Sequence, residues 1–147
     1  MTYRGNPRVP PINNDYLNFK IWNTERIFIM KKFKFTELEM DGQLHYILSR
    51  MYDFGEVCMR DEQFPAKNTC RRNIAAMANC LRKKIAYVLN RHKRAIFPPV
   101  RMVLMEALDS TSNAEQWWNF CRRLAEKSNR PDNRYYAAKK YIGKGQS

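Results

Sequence analysis

Apolar residues recur at helical spacing through most of the chain. Leu44, Ile47, Leu48 and Met51 stand at i, i+3, i+4 and i+7, the spacing that places side chains on one face of an α-helix. The preceding Thr36-Glu37-Leu38-Glu39 matches a capping box, in which a Thr oxygen and a Glu carboxylate satisfy the first amides of a helix. The pattern therefore predicts a helix from Glu37 to Tyr52 that stops near Gly55.

A longer periodic segment runs from about Thr69 to Lys93. At 100° per residue its apolar side chains keep one face, and Arg72, Lys83 and Arg94 fall nearly in line on the other. Each of these three cations lies eleven residues from the next, a step of roughly 16 Å along a helix axis. The segment predicts one long helix with a buried stripe and a basic spine. The stripe consists of Ile74, Met77, Ala78, Leu81, Ile85, Val88 and Leu89, with His92 continuing it.

Prolines and caps divide the rest of the chain. Three prolines in residues 1–14 predict an extended basic arm, and residues 15–33 predict a helix, although their β-branched and aromatic content is also compatible with a strand. Pro98-Pro99 suits the first turn of another helix. Ser112-Asn113-Ala114-Glu115 is a second capping box, and Asp132 is suited to cap a last helix, 133–142, that Gly143 ends.

These elements together predict a mostly α fold. We expect a single-domain helical bundle of five to seven helices, formed by residues 15–142, with the extended basic N-terminal arm (1–14) before it and a flexible tail (143–147) after it. A chain of 147 residues is long enough to bury a core without disulfides or metals. The adjacent Trp117 and Trp118 point about 100° apart, so we expect one to be core. Trp118 is a candidate for exposure, although a helix in a crowded bundle can bury both rings.

The distribution of charge along the chain indicates a function. The formal net charge is +13, and no acidic residue occurs between Glu62 and Glu106, a stretch that carries ten cations. Like charges on a helix repel one another, so an external polyanion is the simplest explanation, and nucleic acid is the commonest. In contrast, residues 36–62 hold seven acids and two cations. That acidic segment is either solvated or meets the basic region of a neighbouring copy.

The sequence therefore predicts a nucleic-acid-binding surface on the long basic helix. Small residues beside long cations allow close approach of a phosphate backbone, although the same alanines would also admit a second packed helix. The predicted contacts are Arg71, Arg72, Arg82, Lys83, Lys84, Arg91, Arg94 and Arg101, with Tyr87 as a stacking ring. Lys139 and Lys140 form a secondary set, because tyrosines interleave with cations from Arg134 to Tyr141 as in surfaces that bind single strands.

Catalytic signatures are missing from the sequence. Four cysteines occur without a Cys-x-x-Cys pair, which argues against a zinc ribbon and favours buried reduced thiols. There is no Gly-rich phosphate loop or nucleophile elbow, and there are two histidines. We expect no catalysis, no cofactor, no metal and no membrane span. The expected location is intracellular, either cytoplasmic or nuclear, or within a virion.

The function predicted from these features is sequence-nonspecific, non-catalytic binding of nucleic acid through its phosphate backbone. A packaging protein, a coat or nucleocapsid protein and a ribonucleoprotein component all fit that description. The alternative is a small accessory subunit of a large complex that makes mainly protein contacts. A third hypothesis is self-assembly through the acidic and basic segments. RNA and DNA, and single and double strands, are not distinguished by the sequence.

Overall fold

The computed structural model describes residues 34–146, which form an all-α, single-domain bundle without a β-strand in that range. The predicted fold class is thus confirmed, whereas the arm 1–14 and the helix 15–33 lie outside the described residues and the domain limits stay predictions. Five α-helices are present, with 3₁₀ turns at Phe35–Glu37 and Lys93–Ala95. The helices are α1 (Met40–Cys58), α2 (Asn68–His92), α3 (Pro98–Ser110), α4 (Ala114–Lys127) and α5 (Arg134–Gln146).

The predicted apolar stripes face one common core. In α1 the side chains of Leu44, Ile47, Leu48 and Met51 are fully buried. In α2 the stripe is buried from Ile74 to Val88, whereas Leu89 and His92 at its C-terminal end are half-buried. The helical spacing of the sequence therefore identified the buried faces correctly.

The start of α1 differs from the predicted capping box. Glu39 is the N-cap and makes no side-chain cap, while Phe35, Thr36 and Glu37 form a 3₁₀ turn. Tertiary contacts fix that turn: the buried Gln43 donates Nε2–H to the Phe35 carbonyl at 3.0 Å. The Phe35 ring also lies edge-on to Tyr46, with centroids 6.0 Å apart. Packing of Phe35 thus overrides the local capping signal.

Asparagine side chains cap the last two helices. Asn113 Oδ1 accepts from the Gln116 amide at 2.8 Å, and Asn133 Oδ1 accepts from the Tyr136 amide at 2.9 Å. The predicted caps Ser112 and Asp132 were therefore wrong by one residue each. Gly143 does not end α5, which continues to Gln146.

Gly55 lies within α1 rather than ending it, and it is the point of closest contact with α4. A Cβ added at Gly55 would lie 2.3 Å from the Cys121 carbonyl oxygen and 2.8 Å from the Ala125 Cβ. Both distances are shorter than any van der Waals contact. The absence of a side chain at this position is what allows the two helix backbones to touch.

Both adjacent tryptophans are buried, so of the two alternatives left open for Trp118 the structure shows burial. Trp118 is 2% exposed. Its ring lies edge-on to Phe64 in the segment between α1 and α2, at 6.1 Å between centroids, and the Arg122 guanidinium lies 5.8 Å from the ring. The interhelical segment covers the second ring, which helical periodicity alone cannot reveal.

A carboxylate joins α3, α4 and α5. Glu106 accepts hydrogen bonds from Arg123 at 2.8 Å, from Arg134 at 3.1 Å and from the Tyr135 hydroxyl at 2.9 Å. Burial would raise the pKa of Glu106, but these hydrogen bonds outweigh it and hold the pKa below its ordinary value. In addition, the Tyr52 hydroxyl of α1 donates to the Tyr135 carbonyl at 2.6 Å.

Substitution Gly55→Ala should destabilise the protein by about 3 kcal/mol, because the new methyl group would force α1 and α4 apart. Urea unfolding followed by circular dichroism measures this change. Gly42→Ala is the matched control, since a Cβ there meets only Leu38 at 3.5 Å and Gly42 is exposed. The control should gain about 0.5 to 1 kcal/mol through helix propensity. Equal stability of the two variants would contradict the close contact.

Glu106→Gln should cost about 1 to 2 kcal/mol, a value reduced from that of buried charged hydrogen bonds because the network is partly solvated. The pKa of Glu106 is lowered by folding, so its stabilisation is complete above the unfolded-state pKa and is lost as pH falls through the folded-state pKa. Urea midpoints of the wild type should therefore fall steeply below about pH 4.5. If the urea midpoint of Glu106→Gln falls as steeply with decreasing pH as that of the wild type, Glu106 does not have this role.

Candidate nucleic-acid interface

The outer face of α2 is a row of small and basic residues. Arg72, Ala76, Asn79, Lys83, Ala86 and Asn90 recur three or four positions apart, and all six are exposed. Arg82 and Arg91 flank this row, and Arg94 follows in the 3₁₀ turn; these three are exposed too. We call the five cations Arg72, Arg82, Lys83, Arg91 and Arg94 the basic ridge.

The cations of the basic ridge form no ion pair within the described part of the chain. None of its five cations forms an ion pair with a carboxylate among residues 34–143, whereas Arg123 and Arg134 are both paired with Glu106. The Arg82 guanidinium donates to Asn79 Oδ1 at 2.8 Å, a neutral partner that holds it along the exposed row. The positive charge of the ridge is therefore available to a ligand.

Arg94 departs from the geometry predicted for it. Because α2 ends at His92 and residues 93–95 form a 3₁₀ turn, Arg94 does not continue the straight line through Arg72 and Lys83. Those two cations are on the same side of α2, roughly 16 Å apart along its axis. Arg94 is exposed in the turn that follows α2 and adds its charge beyond the end of the helix.

Three predicted contacts are engaged within the protein instead. Arg71 donates Nε–H to the Pro65 carbonyl at 2.7 Å, and Arg101 lies 3.4 Å from the carbonyl oxygens of Lys93 and Ile96. The Lys84 ammonium lies 3.5 Å from the Cys80 sulfur and 5.5 Å from the centre of the Phe35 ring. These contacts tie the three side chains to neighbouring groups, so we leave them out of the basic ridge. Arg71 is nevertheless exposed and, like Arg82, has a neutral partner, so its contact with nucleic acid stays a prediction.

Tyr87, the predicted stacking residue, is half-buried. Its ring is edge-on to Phe35, with centroids 6.1 Å apart and planes at 71°. This contact joins the 3₁₀ turn before α1 to α2. Tyr87 therefore packs against Phe35, and stacking of its ring on a base stays a prediction.

The secondary set on α5 borders a cleft. Lys139 and Lys140 are exposed, and the Lys140 ammonium lies 5.7 Å from the centre of the Tyr136 ring. Lys140 and Tyr136 line a cleft of about 670 Å³ together with Asp41, His45, Phe97 and Tyr141. Tyr135, by contrast, is buried and bound to Glu106, so it is not part of this surface.

Sequence reasoning missed Asp41, His45 and Phe97 as members of one site. They come from α1 and from the residue before α3, far from α5 in the sequence, and only the tertiary fold brings them together. Phe97 did carry a signal, because it stands beside Pro98-Pro99 outside any apolar stripe. It is 48% exposed, which is unusual for a phenylalanine.

A second, mainly apolar groove separates α2 from α3. It has a volume of about 440 Å³ and is lined by Ala86, Leu89, Asn90, Lys93, Met105, Leu108 and Asp109. The neighbouring Met102 is 50% exposed and Met105 is 45% exposed. This groove runs beside the basic ridge.

The cysteines Cys58 and Cys121 are buried in the core of the bundle. Burial raises the pKa of the Cys58 and Cys121 thiols well above its ordinary value, which leaves little reactive thiolate. No group of three or more His, Cys, Asp or Glu suited to hold a metal ion occurs within residues 34–143. No helix in the described part of the chain has the length and apolar character to cross a membrane.

Comparisons with protein-family models, curated proteins and solved structures find no match to this chain. Its function is therefore inferred from its own residues and geometry.

The unpaired charge of the ridge should make stability depend on salt. Repulsion among the five cations opposes folding, and added salt screens it, so the melting temperature without ligand should rise by about 3 °C between low and physiological ionic strength. Arg72→Glu/Lys83→Glu should flatten that rise. The control Lys127→Glu/Arg130→Glu changes the net charge equally at exposed positions away from the ridge. Identical salt dependence in the two variants would contradict ridge repulsion.

Proposed function

We propose that this protein is a non-catalytic, sequence-nonspecific nucleic-acid-binding protein, acting as a packaging, coat or ribonucleoprotein component. The observation that carries the proposal is the basic ridge: five exposed cations without an ion-paired carboxylate among the described residues. Folding gains little from such an arrangement, since like charges repel. Binding of a polyanion converts the same charges into favourable contacts and releases counterions.

The shape of the ridge suits a phosphate backbone. Ala76 and Ala86 are small and exposed between the cations, so a strand can approach the helix closely. The roughly 16 Å between Arg72 and Lys83 along α2 corresponds to about five nucleotide steps of B-form DNA. Contacts to phosphates position a nucleic acid without reading its sequence, which is the mode we propose.

The alternative function is that of an accessory subunit held in a larger complex by protein contacts. The groove between α2 and α3 favours it, because Met105 lines the groove with an exposed, flexible apolar side chain, and Met102 one helical turn earlier is exposed as well. Methionine-rich surfaces adapt to the shape of a protein partner. The two functions differ in whether the isolated chain binds nucleic acid.

Fluorescence anisotropy with labelled single- and double-stranded RNA and DNA tests the proposal. If about six phosphates are neutralised on duplex DNA, the affinity should fall about a thousandfold between roughly 50 and 200 mM salt. Arg72→Glu/Lys83→Glu should weaken binding to every sequence alike and reduce the slope of log affinity against log salt by about 2.

Lys127→Glu/Arg130→Glu serves as the matched control and should keep most of the wild-type slope. Absence of binding at low salt by the folded wild-type protein would refute the nucleic-acid function and leave the accessory-subunit function. Equal losses of nucleic-acid affinity in the two double variants would show that net charge, rather than the basic ridge, attracts the ligand.

A further inference from the structure

The cleft between α1 and α5 has the side chains of a site for a flat, hydrogen-bonding ring. The rings of Phe97 and Tyr141 lie within 18° of parallel, with centroids 6.4 Å apart, and Phe97 is about half exposed. Near-parallel rings with an open face allow a further aromatic ring to extend the stack. The volume of about 670 Å³ falls within the range of sites that hold a small ligand.

A hydrogen bond and a ring contact hold the Tyr141 ring in place beside Phe97. The Tyr141 hydroxyl donates to Asp41 Oδ1 at 2.5 Å, which links α5 to the first turn of α1. The His45 ring contacts Tyr141 at 5.3 Å between centroids. Asp41 Oδ2 receives no hydrogen bond from the described residues, so it remains an acceptor for an amino group of a ligand.

Charge is distributed unevenly along the cleft. Asp41 gives one end a negative charge that excludes phosphate, and Lys140 gives another part a positive charge beside the Tyr136 ring. A suitable ligand would have an uncharged ring with an amino group, which would face Asp41, and an attached anionic group, which would face Lys140. Nucleotides have that combination of groups.

The cleft also adjoins the basic ridge. Phe97 follows Arg94 by three residues, so their Cα atoms lie within about 11 Å of each other. A strand whose phosphates lie along α2 therefore reaches Phe97 where the ridge ends. Bases in a duplex are paired and turned inward, and only an unpaired base can enter such a cleft.

We propose that this cleft binds an unpaired base of single-stranded nucleic acid, stacked on Phe97 and Tyr141 with its adjacent phosphate near Lys140. The proposal rests on the proposed function and extends it, because it names single strands as the preferred ligand. The ridge supplies attraction common to all nucleic acids, and the cleft supplies the preference for an unpaired strand.

The test uses the full chain with a single strand of about 16 nucleotides that contains 2-aminopurine, a base whose fluorescence falls on stacking, and with the corresponding duplex. Phe97→Ala should weaken single-strand binding by about 5- to 100-fold, as loss of one stacked base does, and leave duplex binding unchanged. Quenching of 2-aminopurine should diminish in the same variant. Phe97→Trp retains a stacking ring and should preserve both affinity and quenching.

Several outcomes separate the cleft from the ridge. If Arg72→Glu/Lys83→Glu weakens binding while Phe97→Ala leaves affinity and quenching unchanged, the cleft proposal is refuted and the proposed function stands. If a free 2-aminopurine nucleotide binds as tightly as the strand, the site takes nucleotides and the single-strand proposal is overturned. Failure of the folded wild type to bind either strand would refute both proposals.

Discussion

The close contact between α1 and α4 at Gly55 is the constraint on which the rest of the bundle depends. A glycine there lets the backbone of α1 reach the Cys121 carbonyl of α4, and the two helices form the centre of the core. The long helix α2 then packs its apolar stripe on this core and leaves its opposite side exposed to solvent. The basic ridge is therefore exposed because the apolar stripe of α2 packs on the core formed by α1 and α4.

Two sets of cations among the described residues differ in their partners. Arg123 and Arg134 share Glu106, and the buried Arg50 donates to the Tyr46 hydroxyl, so their charges are balanced or hydrogen-bonded within the fold. The ridge cations such as Lys83 have no carboxylate among the described residues. Contacts within the fold explain the first group, whereas the second group is the surface on which we propose that a polyanion binds.

Helical periodicity predicted the fold class, the buried stripes of α1 and α2 and the proline start of α3. It could not predict features that depend on contacts between distant residues, such as Phe64 covering Trp118 or Gly55 meeting Cys121. The same limit applies to the candidate site. Charge and spacing predicted Arg72 and Lys83 on one exposed face, but the internal contacts of Arg71, Lys84 and Arg101, and the cleft at Phe97, arise only from the tertiary structure.

The central claim is that nucleic acid binds on the exposed face of α2, and lysine footprinting tests it most directly. The wild-type protein would be acetylated with and without a saturating single strand, and the modification of each lysine would be measured by mass spectrometry. The account predicts strong protection of Lys83, with Lys127 on α4 remaining equally reactive in both samples. Bound nucleic acid that leaves Lys83 as reactive as in the free protein would contradict the account.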